Sequence, residues 1–280
     1  MRQLQHHATP SRVPESLRSN RSAPPPPLCP VSLGRAAVLA AVALAFASAL
    51  APAAVHAQGT RGSSQAMSVS GWLKLVTFSG SGDSVDLGRV ATVSAQAPPN
   101  YLLSDARPNF AANLGEAGKV LGSSTLRSAV AGTVEISQLL SARAEAEDLE
   151  LIVVGAAPLL TLSVDGVVAE ASMSGPCGDA LRATGSVTIA GATVGGSLGL
   201  GLTIPLQPSA DTVLLDRDGM RIVLHERKLT GSGFGDLRLV VNAIHVELDE
   251  VLIPGLGLLS GQIVIGHAEA GLICGDMLQN

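Results

Sequence analysis

From Val69 onward the chain reads as short apolar or alternating runs broken by Gly, Asp and Pro. Ala142, Ala144 and Ala146 alternate with Arg143, Glu145 and Glu147, and Ile244, Val246 and Leu248 alternate with His245, Glu247 and Asp249. Successive side chains of a strand point to opposite faces, so each run predicts a strand with one buried and one wet face. Residues 242–248 and 262–274 are both predicted strands; in the second, Val264, Ala268, Ala270, Leu272 and Cys274 share one parity and are expected inside. Asp165-Gly166 and Asp218-Gly219 each separate two apolar runs. Asp-Gly tolerates the positive φ of tight hairpin turns, so both pairs predict β-hairpins. The best helical candidate, residues 113–121, is short and interrupted by glycine. The fold class is therefore all-β, a single domain built as an antiparallel β-sandwich. A β-solenoid-like fold is the alternative, suggested by the glycine-rich residues 191–201 but lacking a fixed repeat.

Ahead of this domain, residues 36–51 read AAVLAAVALAFASALA behind Arg35, and Pro52 leads into Val55-His56-Ala57. A basic residue, an apolar block and an A-x-A-like end form a signal peptide with cleavage between Ala57 and Gln58. The apolar block is shorter than the roughly 20 residues a spanning helix needs. Residues 1–57 are thus a leader, of which the proline-rich 1–30 need not be translated if synthesis starts at Val31. Residues 58–67, mostly Gly, Ser, Thr and Gln, have linker composition, and 68–276 form the β-rich extracytoplasmic domain.

Composition narrows the function classes. From Gln58 the chain has 13 Lys and Arg against 22 Asp and Glu, a formal net charge of −9. Such a chain, without basic runs, argues against nucleic acid and anionic membranes as partners. No second apolar segment is long enough to be a transmembrane helix of the mature chain. Only Trp72, Phe78, Tyr101, Phe110 and Phe234 are aromatic after the leader, which disfavours a stacking platform for sugars or bases. Two cysteines remain, Cys177 and Cys274, and an oxidising compartment makes a bridge between them the natural reading, against two separate buried thiols.

The carboxyl-terminal part carries a more specific pattern: Val241-Asn242-Ala243-Ile244-His245-Val246, then Ile263-Val264-Ile265-Gly266-His267-Ala268-Glu269-Ala270, then Cys274. This resembles the ending of the choice-of-anchor P family of bacterial surface proteins. The likeness extends more loosely through residues 208–226, where Asp211 and His225 stand in place of the family's asparagines, and to Cys177 as a mid-domain cysteine. The resemblance implies a secreted or cell-surface domain with no enzymatic activity or cofactor to carry over. Residues 274–280 lack a sorting motif, hydrophobic tail or basic end, so release or non-covalent retention is expected.

Two chemistries deserve weighing. His245-x-Glu247 and His267-x-Glu269 each put an imidazole and a carboxylate on one strand face, with His225-Glu226 as a third pair; brought together, they could form a nitrogen and oxygen metal site. The plainer reading is wet strand faces. Asp83 and Asp86, beside Gly80-Ser81-Gly82, could bind calcium in an acidic loop, although no EF-hand spacing is present. No G-x-S-x-G elbow or nucleotide fingerprint occurs, and Asp216 and Asp218 flank a turn. The expectation is a non-catalytic secreted or surface-associated module of structural, adhesive or envelope role. It needs no cofactor and would have an envelope or extracellular partner. The alternatives are an extracytoplasmic metal-dependent enzyme using the His/Glu pairs, or a ligand-binding sandwich.

Overall fold

Strands up to 18 residues long dominate the chain, about three times the usual length of 5 to 6. The structure is a computed structural model that describes residues 60–275 apart from 135–137, 154–157, 178–180, 199–201 and 233–234. The leader and its cleavage site at Ala57 and Gln58 lie outside the described residues. The strands are β1 (Arg61–Thr77), β2 (Gly82–Ala97), β3 (Tyr101–Asn113), β4 (Lys119–Thr133), β5 (Leu139–Val153), β6 (Leu160–Ser174), β7 (Arg182–Ala190), β8 (Thr193–Gly195), β9 (Thr212–Arg217), β10 (Met220–Gly231), β11 (Asp236–Ile253) and β12 (Gly257–Ile273). In the helical candidate segment only a 3-10 turn at Gly115–Ala117 is helical, between the end of β3 and the start of β4.

The strands make two antiparallel sheets, β2-β1-β12-β11-β10-β9 and β3-β4-β5-β6-β7, the latter with β8 also paired to β6. The two sheets pack face to face over one apolar core, which is the predicted sandwich rather than a solenoid. Connectivity is a meander: β1 and β2 form a hairpin, β3 to β7 run through the second sheet, and β9 to β12 return until β12 pairs with β1. β7 and β8 hold one register on β6, so they are two parts of one edge interrupted at Gly191 and Ala192. At the opposite edge Tyr101 of β3 reaches across and donates its hydroxyl hydrogen to Ser64 Oγ of β1 (2.8 Å). Its ring lies where a side chain at Gly132 would stand.

One feature organises both sheets. Inward residues change phase by one along a line transverse to the strands. In β1 the buried set passes from Ser64 and Ala66 to Val69, Leu73 and Leu75; in β5 from Ala142, Ala144 and Ala146 to Leu149, Leu151 and Val153. By the flanking ladder pairs, the line runs through Ala91, Ser68, Gly266, Ala243 and His225 in the first sheet. In the second it runs through Asn109, Ser124, Asp148, Asp165 and Gly191. Every second strand takes a positive φ there: Ala91 at 47°, Gly266 at 67° and His225 at 51°, then Asn109 at 53°, Asp148 at 47° and Gly191 at 63°. Such a residue turns the pleat over, so the side chains before and after it no longer share a face.

Three sequence expectations change as a result. Asp165-Gly166 is not a hairpin; it lies inside β6, where Val164 and Val167 are both buried because the pleat reverses between them. Val264 faces outward while Ile263 and Ile265 are buried, because Gly266 separates them from Ala268, Ala270 and Leu272. Residues 61–67 are not linker but the start of β1. Gly62 and Ser64 are core residues of a thin sandwich: a Cβ on Gly62 would meet Leu140 at 2.6 Å, and just beyond them Ser68 Oγ donates to the Arg127 carbonyl of the opposite sheet at 2.7 Å. Asp218-Gly219 is a hairpin turn as expected, with φ of 53° and 76° between β9 and β10. Ile244, Val246 and Leu248 are buried as expected, and on the outer face Arg143 ion-pairs with Glu145 and Glu170 while Glu147 ion-pairs with Arg127.

Cys177, in the turn after β6, and Cys274, just past β12, are bridged with Cα atoms 5.6 Å apart. The bond joins the two sheets at the end where the core includes Ala142, Ala144, Ala169, Ala171, Ala268 and Ala270.

Candidate functional site

The polar network on the outer face of β10, β11 and β12 is built by the pleat reversal. Asn242 and His245 are three residues apart and would face opposite ways in an ordinary strand. The reversal at Ala243 turns both outward, beside Glu226 of β10, which the register places opposite Asn242. Glu226 Oε2 accepts from Asn242 Nδ2 (2.6 Å) and His245 Nδ1 (3.0 Å). His267, opposite Asn242 on β12, donates through Nδ1 to Asn242 Oδ1 (2.7 Å). The tautomers follow from the carboxylate: Glu226 only accepts, so the Asn242 amide nitrogen faces it, its oxygen faces His267, and His267 Nδ1 must carry the hydrogen. Both imidazoles therefore present Nε2 as the free nitrogen. His245 Nε2 is buried without a hydrogen bond, 3.8 Å from Glu247 Oε1. His267 Nε2 lies 3.8 Å from Glu269 Oε2.

Glu269 is itself held by Arg238, whose Nε and Nη2 donate to its two oxygens, each at 2.7 Å. Burial pushes the His267 pKa below the ordinary 6.5, with Arg238 and Arg89 acting in the same direction and Glu269 and Glu226 opposing. The unfolded chain then takes up this proton at a higher pH than the folded one, so stability rises with pH across the interval. The contribution is present above about pH 6.5 and is lost as pH falls through the lower, folded value. Urea midpoints between pH 7.5 and 5 should fall more steeply for the wild type than for His267→Asn. Parallel profiles would remove this assignment.

No protein-family model and no curated protein matches this chain.

The structure separates the two predicted His/Glu pairs rather than gathering them. His245 lies opposite Val264 and His267 opposite Asn242, so the imidazoles are offset along the ladder and each has its Nδ1 committed to a different partner. Among the described residues no three His, Cys, Asp or Glu side chains are placed to hold a metal ion. His245, Glu247, His267 and Glu269 therefore do not form the four-ligand site their spacing suggested. Nor do Asp83 and Asp86 share a loop: both are in β2. The Asp83 carboxylate packs against Gly115, whereas Asp86 faces outward opposite Trp72 and accepts from Gly88 N at 2.8 Å. His225 sits on the reversal line and bonds the Pro208 carbonyl at 2.9 Å through Nδ1. The organising residues that spacing did not single out are Asn242 and Arg238, and Glu226, expected only as the neighbour of His225, is the acceptor shared by Asn242 and His245. Their roles depend on the order β10-β11-β12, although the polar Asn242 between buried Val241 and Ala243 was a visible signal.

Proposed function

We propose that this chain is a non-catalytic, exported β-sandwich that works at the cell surface or outside it as a structural or adhesive module. The Cys177–Cys274 bridge carries this reading, because a bond joining the two sheets persists in oxidising compartments and is rare in the cytosol. The leader pattern of residues 1–57 and the resemblance of residues 241–274 to choice-of-anchor P proteins support the same compartment. The outer-face chemistry supports a non-catalytic role: Glu226, Asn242, His245 and His267 bond one another, and Glu269 is locked by Arg238, so these groups brace adjacent strands.

Fractionation with mass spectrometry under non-reducing conditions tests the proposal. The expected result is a protein in the envelope or medium that starts at Gln58 and yields a linked peptide containing Cys177 and Cys274. A cytosolic protein that retains residues 36–57 and labels at both thiols would overturn it.

A further inference from the structure

We infer that the recess between Lys228, Arg238 and His267 on the outer face of the first sheet is a binding site for a small oxyanion, a carboxylate or a phosphate-type group. The recess encloses about 300 Å³ and is lined by Lys228, Thr230, Arg238, Val240, His267 and Glu269. Its side chains come from three adjacent strands of one sheet, which fixes their spacing: Lys228 lies opposite Val240, and Val240 opposite Glu269, while Thr230 lies opposite Arg238.

The charge balance of the recess decides the class of ligand. Both oxygens of Glu269 are engaged by Arg238 Nε and Nη2, so its charge is compensated inside the recess and Arg238 keeps its Nη1 hydrogens for another partner. Lys228 has no ion pair or hydrogen bond among the described residues, which leaves an ammonium with three donors at the wall. The Thr230 hydroxyl adds a neutral donor. The recess thus carries an excess of one positive charge on a chain whose formal net charge after the leader is −9. An oxyanion would accept from Lys228 Nζ, Arg238 Nη1 and Thr230 Oγ1, with the Val240 side chain beneath it. The bidentate bond to Glu269 holds the guanidinium in place before the ligand arrives, which lowers the ordering cost of binding. This site stands independently of where the protein is located.

The test is a titration of ¹⁵N-labelled protein with sodium acetate, with inorganic phosphate and with sodium chloride at matched ionic strength. Saturable shifts of Thr230, Arg238, Val240 and His267 resonances are expected with acetate or phosphate and not with chloride. Tighter binding of acetate assigns a planar carboxylate, and tighter binding of phosphate a tetrahedral group. Lys228→Gln, on an exposed side chain, should weaken the affinity at least tenfold, whereas Lys74→Gln elsewhere on the same face should leave it unchanged. Equal shifts with chloride, no saturable shift at these residues, or a Lys228→Gln protein that binds like the wild type would each overturn the site.

Discussion

Replacing both cysteines, Cys177→Ala with Cys274→Ala, should lower stability by about 2 to 4 kcal/mol, a larger loss than any single outer-face substitution. The bridge spans 97 residues of sequence and connects the turn after β6 to the end of β12, so it closes a long loop that the unfolded chain otherwise leaves open. For a loop of about 100 residues, closure entropy alone sets an upper figure near 4.7 kcal/mol. The position of the bridge adds to its importance. It closes the half of the sandwich that holds nearly all of the buried alanines, with Gly62 and Ser64 also facing inward, whereas the other half buries Leu73, Leu75, Leu149, Leu151, Leu160 and Leu162. Burial contributes roughly 25 cal/mol per Å² of apolar surface, so small side chains stabilise that end less. For a domain of this size the expected drop in melting temperature is about 4 to 16 °C. Wild-type protein melted in excess reductant should follow the double variant. Coincident melts of wild type and variant without reductant would show that the bridge contributes nothing.

The sandwich class was legible because alternation survives within each half-strand: Ala142 to Glu147 reads correctly on one side of Asp148, and Ile244 to Asp249 on one side of Ala243. The reversal line was not legible. Two half-strands of opposite phase joined at Asp165-Gly166 look, residue by residue, like two strands joined by a turn, and only the ladder with β5 and β7 shows that the chain continues straight. The same slip hid the outward partnership of Asn242 with His245, since strict period two assigns them to opposite faces. His245 and Glu247 could be placed on one face by counting, but Glu226 as the shared acceptor depends on non-local register between β10 and β11. The start of β1 was masked by composition: residues 61–67 resemble a flexible linker because the thin core needs small side chains there. The cysteine pairing was accessible from counting and compartment, and the geometry agrees with it.

Gly266→Val should be the most damaging single substitution along the reversal line, costing about 3 kcal/mol or more. Two separate terms add. Gly266 sits at φ 67°, where a residue with a Cβ pays roughly 1 to 2 kcal/mol and a β-branched one is especially disfavoured. The side chain would also point between the sheets, where a Cβ already meets Ala243 Cβ at 3.0 Å and Ala169 Cβ of the facing sheet at 3.4 Å. Forcing further methyl groups into such a gap costs about 1 to 3 kcal/mol. Gly266→Ala isolates the backbone term and should lie between wild type and Gly266→Val. Ala91→Gly supplies the opposite case on the same line: Ala91 is at φ 47° and 2% exposed, so glycine relieves the backbone while losing one buried methyl. These effects oppose each other, and the net change should stay within about 1 kcal/mol. Denaturant midpoints of the three variants decide the matter. If Gly266→Val melts with the wild type, or if Ala91→Gly costs as much as Gly266→Val, the transverse line of positive φ is not what sets the phase of the two sheets.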